Sequence, residues 1–245
     1  AKFYQEYMNQ AKSPEDQIFN ESDIVDNFYK GKLKFSEEYN TWYLILDDGR
    51  TEYVNIYIGV DPASTLSVRN DYSVIMVIGV TADYDYYIIE YWRQRVLPMD
   101  CADEIFKIAE RYRPIKRINI ETISYQEMLR DYVHKKSKKE GKFLPGIEKG
   151  VKNYGNQKKK DRLFEGLQPM FKAGAVHLKK DMHEFIGELL DFPKGSHDDT
   201  IDAFWLSTQY AKGNKKAGSI KKIKNSENEW EKPKKRYNWM TGSRY

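Results

Sequence analysis

"NIYIGVD", residues 55–61, is a run of β-branched, aromatic and glycine residues that stops on a carboxylate. Pro62 follows at once and has no N–H with which to continue a ladder, so the run reads as a strand carrying an acid, Asp61, at its carboxyl end. Two more β-rich runs come next, "YSVIMVIGV" at 72–80 and "YYIIEYWRQR" at 86–95, each set off by a polar, turn-rich connection. They predict a meander of three antiparallel strands. Beyond them the apolar period changes: Ala102, Ile105, Phe106, Ala109 and Tyr112 recur at helical spacing. "RINIE" at 117–121 then returns to strand alternation and again ends on an acid, Glu121. Helices over roughly 124–138, 159–173 and 182–190, with a short strand at roughly 175–178, complete the pattern. The expectation is an α/β fold with a mixed five-stranded sheet, three antiparallel strands and then parallel ones, flanked by helices.

Upstream of 55, "SPEDQIFNESDIVDNFYK" at 13–30 carries helix start signals: Ser13 as N-cap, Pro14 in the first turn, then Ile18, Phe19, Val25 and Phe28 on an apolar stripe, with Gly31 to close it. Trp42–Leu46 and Thr51–Asn55 flank "DDGR", a hairpin signal through Asp48-Gly49. There is no internal repeat. From Lys212 onward the chain is rich in Lys, Asn and Ser and poor in periodicity, which predicts a flexible basic extension.

At 245 residues, 40% hydrophobic and 14% aromatic, the chain can bury one sizeable core. Its longest apolar run, SVIMVIGV at 73–80, is far short of the roughly 20 residues a membrane helix needs, so no membrane is expected. The lone Cys101 excludes an internal disulfide, fits a reducing compartment and reads as a helix-packing residue. The net charge of +4 is unevenly spread: residues 212–245 carry +8, which leaves −4 for the rest. Residues 134–162 are a second basic stretch, with eleven Lys/Arg against three acids. Basic segments beside acidic ones suit a polyanion approached through metal ions.

The third acidic feature is "SHDDTIDAFW" at 196–205, where Asp198, Asp199 and Asp202 crowd into five residues at a helix start. If the strands ending in Asp61 and Glu121 are parallel neighbours, their carboxylates meet at one sheet edge, and the helix start brings a third member, because residues three or four apart share a face. Three such carboxylates make a hard-oxygen site suited to Mg²⁺ or Mn²⁺, whereas zinc favours His or Cys.

The order β-β-β-α-β-α, together with "GVDPA" at 59–63, "IE" at 120–121, "KKKDRLFEGLQPMFKAGAVHL" at 158–178 and "LLDFPKGSHDDTIDA" at 189–203, resembles the nuclease domain of phage large terminase subunits, of the RNase H-like, resolvase-type superfamily. The resemblance covers roughly residues 55–211 and implies two Mg²⁺ or Mn²⁺ ions held by Asp61, Glu121 and Asp198 or Asp199, with Asp202 as a further ligand. Asp61 would bridge the two ions, with Glu121 and Asp199 on either side. The implied activity is endonucleolytic cleavage of concatemeric double-stranded DNA during packaging in the host cytoplasm, largely independent of sequence. Implied partners are an ATPase domain of the same terminase, the capsid portal and the small terminase subunit. "FYQEYMNQ" at 3–10 is similar to the segment that ends the packaging ATPase, and the chain has no GxxxxGK[ST] phosphate loop. The division expected is therefore 1–54 as lead-in from an ATPase domain, 55–211 as nuclease and 212–245 as basic tail.

Plainer readings exist for each residue. Aspartates at a helix start commonly cap orphan N–H groups, and Asp61 and Glu121 alone would pass for surface acids. His197 would orient a ligand or face solvent, while His134, His177 and His183 lack mutual metal spacing. Lys158, Lys159, Lys160 and Arg162, ahead of a helix, read as phosphate contacts or as a solvated face. Junction resolvases share the acids but leave "LQPMFKAGAVHL" and "DFPKGSHDD" unexplained. A sugar-kinase or actin-like fold lacks its glycine-rich phosphate turns here. A non-cleaving DNA- or portal-binding module is the remaining alternative.

Overall fold

The computed structural model describes residues 18–63, 72–121, 125–147, 151 and 159–215. Seven strands form one mixed sheet in the order β1-β2-β3-β4-β5-β7, with β6 also on β3. They are β1 (Gly31–Ser36), β2 (Thr41–Leu46), β3 (Thr51–Asp61), β4 (Ser73–Val80), β5 (Tyr86–Gln94), β6 (Ile115–Ile120) and β7 (Val176–His177). The helices are α1 (Glu21–Val25), α2 (Pro98–Arg111), α3 (Tyr125–Glu140), α4 (Lys159–Lys172), α5 (His183–Asp191) and α6 (Asp199–Thr208). β3, β4 and β5 form the expected antiparallel meander, and β6 and β7 add in parallel to β3 and β5.

The sheet has seven strands where five were expected, because the upstream hairpin belongs to it. β3 is a single eleven-residue strand. Its first half, Thr51–Val54, pairs with β2, and its second half pairs with β4 and β6. The hairpin arm and the decisive strand are thus the same strand. β1 adds to the outside of β2 through the alternating "KLKF". The helix expected over 13–30 is described only from residue 18 on and there amounts to Glu21–Val25. The Asn27 side chain donates to the Asp23 carbonyl as it ends, and Phe28 bridges to Leu178.

Two cores cover the two faces of the sheet. On one face α1, α4, α5 and α6 bury Ile24, Leu163, Phe171, Phe185 and Phe204 against Val74, Met76 and Ile78. On the other α2 and α3 bury Ile105, Phe106, Leu129 and Val133 against Ile58, Val60, Ile75 and Val77. Full burial of such side chains contributes about 1.5–3 kcal/mol each, which makes the central strands the rigid part of the molecule. Ile18, Phe19, Leu44 and Leu46 enter the same cores, so no break in packing falls at residue 54. Cys101 is fully buried in α2, and burial pushes its thiol up to about 12, which keeps it protonated and inert. The first residues past α6 are tied down: Tyr57 and Lys212 exchange hydrogen bonds, and Asn214 bonds Thr81 and Thr41. The remainder of the basic tail lies outside the described residues. Among the described residues no helix is long and apolar enough to cross a membrane.

Candidate functional site

Val60 pairs with Ile120 in the parallel β3–β6 ladder, and Asp61 and Glu121 are the next residues on each strand. Alternation then sets their face. Ile56, Ile58 and Val60 of β3 enter the core under α2, so Tyr57, Gly59 and Asp61 fall on the α6 side. In β6, Ile118 and Ile120 enter the α2 core, while the fully buried Asn119 reaches α6, and Glu121 follows Asn119 in phase. Two acids therefore share one end and one face of neighbouring strands. Glu121 is buried, at 8% exposure, and Asp61 is half-buried.

α6 is laid onto this face by close backbone approach. A β-carbon on Gly59 would stand 2.0 Å from the Ala203 carbonyl oxygen and 2.4 Å from the Ser207 nitrogen, so only glycine lets the helix sit there. Lys212, beyond the helix, bonds Tyr57 and Asn55. The helix thus runs antiparallel to β3 with its start, Asp198 and Asp199, towards Asp61. Both of its ends are held by side chains. The Asn119 amide donates to the Leu206 and Gln209 carbonyls at 2.8 Å each, adding to the Gln209 N–H bond that already closes the C-terminus on Leu206. At the N-terminus the Thr200 N–H and hydroxyl both donate to Glu188 Oε2, the former at 2.8 Å.

That second clamp bears on the aspartates. Asp198 occupies the N-cap position, yet its side chain makes no capping hydrogen bond, because Glu188 from α5 serves the first turn instead. Capping therefore does not account for Asp198. Asp202, one turn on, is 5% exposed, and Asp199 Oδ2 stands 3.7 Å from His197 Nδ1, beyond hydrogen-bond reach. His197 also meets the Tyr72 ring edge-on at 5.3 Å. Tyr72 precedes β4, whose Val74 pairs with Asp61, so this contact independently brings the acidic segment to the same sheet end.

The set fits a hard divalent cation by donor type and by backbone placement: its acids are all carboxylates, and they come from two strand ends and a helix start on one face. The side chains as placed do not converge further. Among the described residues no three His, Cys, Asp or Glu form a group that could hold a metal ion. Like charges brought to one sheet end repel one another.

The predicted basic contacts are partly described. Val151 bridges Glu121, and the chain from there leads to α4. α4 ends towards β7, beside Tyr86 at the far end of the sheet, so its basic start lies towards the acids. Lys160 there is exposed, whereas Lys158 and the side chains of Lys159 and Arg162 lie outside the described residues. Sequence reasoning missed Gly59, Asn119 and Glu188, and it missed Arg93, whose Nη2 is 3.1 Å from Glu188 Oε1. Glycine inside the "YIGVD" strand was the one available signal, since an interior strand glycine marks a close backbone approach.

A mixed sheet with helices on both faces and carboxylates at the carboxyl ends of two central parallel strands defines the class: an α/β domain with an acidic strand-end site. Residues 58–209, well over half of the chain, match the Terminase RNaseH-like domain family, and the chain belongs to that family. Among curated proteins none matches. Among solved structures it is similar to the large terminase nuclease of thermophilic phage G20c with bound zinc, at 17% identity and a TM-score of 0.49 over 77% of this chain and 98% of that one. It is also similar to the P22 large terminase nuclease domain, at 11% identity and a TM-score of 0.46 over 62% of this chain and 79% of that one. The HK97 bacteriophage large terminase gives 16% and 0.45 over 64% and 40%.

Proposed function

We propose that this chain is the endonuclease part of a viral large terminase, cutting concatemeric double-stranded DNA during genome packaging with the help of two divalent ions, Mg²⁺ or Mn²⁺. The observation that carries this is the convergence of Asp61 and Glu121 on adjacent parallel strand ends, on the face onto which α6 delivers Asp198, Asp199 and Asp202. In this reading Asp61, between Glu121 and the helix start, would be shared by the two ions, with Glu121 and Asp199 or Asp198 flanking it. Bound ions would make hydroxide available near neutral pH and stabilise the departing 3′ oxygen. The protein's own part is to hold its carboxylates at fixed backbone positions, through the β3–β6 ladder and the clamped α6, and to bring the DNA backbone to them with Lys160 and its basic neighbours.

Contacts to phosphate carry affinity and register without sequence information, so cleavage is expected to be largely indifferent to sequence and steeply salt-dependent. Under this reading residues 55–211 are the nuclease, with residues 18–54 packed onto it and 212–245 a basic extension. The packaging ATPase of the same terminase, the portal and the small subunit are the partners, in the host cytoplasm. A domain that grips DNA without cutting it is the rival, favoured by the lack of a preformed three-ligand group among the described residues. Supercoiled plasmid incubated with Mn²⁺ or Mg²⁺ separates the two. Nicking by the wild type that is lost in Asp61→Asn and Glu121→Ala supports the nuclease, no nicking by the wild type supports the grip, and undiminished nicking by both variants refutes the site.

A further inference from the structure

The acids occupy only part of this sheet end. Asp61 pairs with Val74, and Val74 pairs with Arg93, so one rung running across β3, β4 and β5 carries a carboxylate at one position and a guanidinium at another, on the same face. Arg95 follows two residues later, just past the last residue of β5. Both arginines stand over the ring of Tyr72, with Cζ 3.4 Å from its centroid for Arg93 and 4.2 Å for Arg95, well inside cation–π range. The same ring meets His197 of the acidic segment. Tyr72 is thus a hub joining an arginine pair to the aspartates.

The two arginines are not equivalent. Arg93 is largely buried and its charge is offset by Glu188. Arg95 is exposed and makes no ion pair among the described residues. A guanidinium resting over an aromatic face loses rotational freedom while the donors on its rim stay available, which matches the two-pronged recognition of phosphate. An ordinary surface arginine has no such support.

We propose that Arg95, positioned by Tyr72 and Arg93, docks a backbone phosphate of the DNA duplex beside the carboxylate site. The inference rests on the nuclease function proposed above and adds a contact to it. β3 and β5 are two strand spacings apart, about 10 Å, which along one DNA strand at about 3.4 Å per nucleotide places the docked phosphate within a few nucleotides of the one cleaved.

The test is fluorescence anisotropy with two unrelated labelled 30-base-pair duplexes in EDTA, so that binding is read without cleavage, over a series of salt concentrations. Arg95→Ala should weaken binding about three- to tenfold on both duplexes and make the slope of log affinity against log salt shallower by about 1. Arg95→Lys should keep the slope but not the full affinity, because it retains the charge and loses the planar fork. Lys116→Ala, which deletes an exposed charge near the start of β6 at the far end of the sheet, should change neither. Arg95→Ala indistinguishable from wild type in affinity and slope overturns the proposal, and so does a wild type that fails to bind at low salt. The two readings fail separately. Loss of binding in Arg95→Ala stands even if the wild type never nicks plasmid, and an Arg95→Ala that binds normally sinks the phosphate contact even while Asp61→Asn abolishes nicking.

Discussion

At the carboxyl end of β3 and β6 the acids sit on strands buried from both sides, and the helix that faces them is fixed through backbone approach at Gly59. At the start of β4 and the end of β5, at the same end of the same sheet, the side chains are a tyrosine and two arginines held by stacking and by one ion pair to Glu188. The first region is positioned by what cannot move, the second by contacts that substitution can remove one at a time. Chemistry that needs carboxylates at constant spacing is well served by the former. Binding of a duplex, which must arrive and leave, suits the latter. Glu188 links them, because one of its oxygens holds Arg93 and the other holds the start of α6.

Breaking the rigid half should have the largest effect. Asp61→Asn is expected to lower the nicking rate about a thousandfold, about 4 kcal/mol of transition-state stabilisation, while the circular dichroism spectrum stays native. Breaking the link comes next. Glu188→Ala leaves Arg93 largely buried without its partner and should cost about 3–5 kcal/mol in urea unfolding, and replacing Arg93 and Glu188 together by Met and Leu should recover the part due to the unpaired guanidinium but not the part due to the lost acceptor of the Thr200 N–H and hydroxyl. Removing the clamp at the other end of α6 is milder: Asn119→Ala takes a donor from the Gln209 carbonyl and leaves the Leu206 carbonyl only the Gln209 N–H, for an expected loss of about 1–3 kcal/mol. A charge deleted at the basic helix start tests binding alone. Lys160→Ala should weaken duplex binding alike on every sequence and flatten the salt slope by about 0.9, and sequence-selective loss would contradict it. The smallest effect lies away from the site. His177 is stacked on Tyr87, and burial lowers its pKa below the usual 6.5 despite nearby Asp85. The folded state therefore binds this proton less readily than the unfolded one, so the stability His177 contributes is present above about pH 6.5 and lost as pH falls below it. His177→Phe should make the midpoint of thermal unfolding less sensitive to pH over that range.

The two halves also differ in how far the sequence disclosed them. A strand that ends on Asp61-Pro62, a second that ends on Glu121 and a window with three aspartates are local patterns, and each was legible from residue type and spacing alone. The parallel pairing of β3 with β6 followed from the intervening hairpins and crossover helix. What was hidden depends on partners distant in the chain. Glu188 as the cap of α6 requires the turn between α5 and α6 to fold back on itself, and nothing in "SHDD" announces that its own first acid is not the cap. Asn119 lies in a strand pattern where a buried polar residue reads as a defect until α6 is seen to need it. Nothing in the sequence marks Arg93 and Arg95, because their tyrosine lies just ahead of the preceding strand and only the antiparallel register brings it to them. β1 was overlooked since its short "KLKF" alternation needs the hairpin beside it, and the unity of β3 was obscured because its two halves have different neighbours.

Calorimetric titration of Mn²⁺ into the wild type, Asp61→Asn, Glu121→Gln and Asp199→Asn tests the central claim most directly. A single site built jointly by two strand ends and a helix start predicts two ions bound by the wild type, with binding lost or reduced to one ion when any of the three carboxylates is removed. Titrations of Asp61→Asn and Glu121→Gln that match the wild type in stoichiometry and affinity would mean that these acids do not share a cation, and the account would fail there.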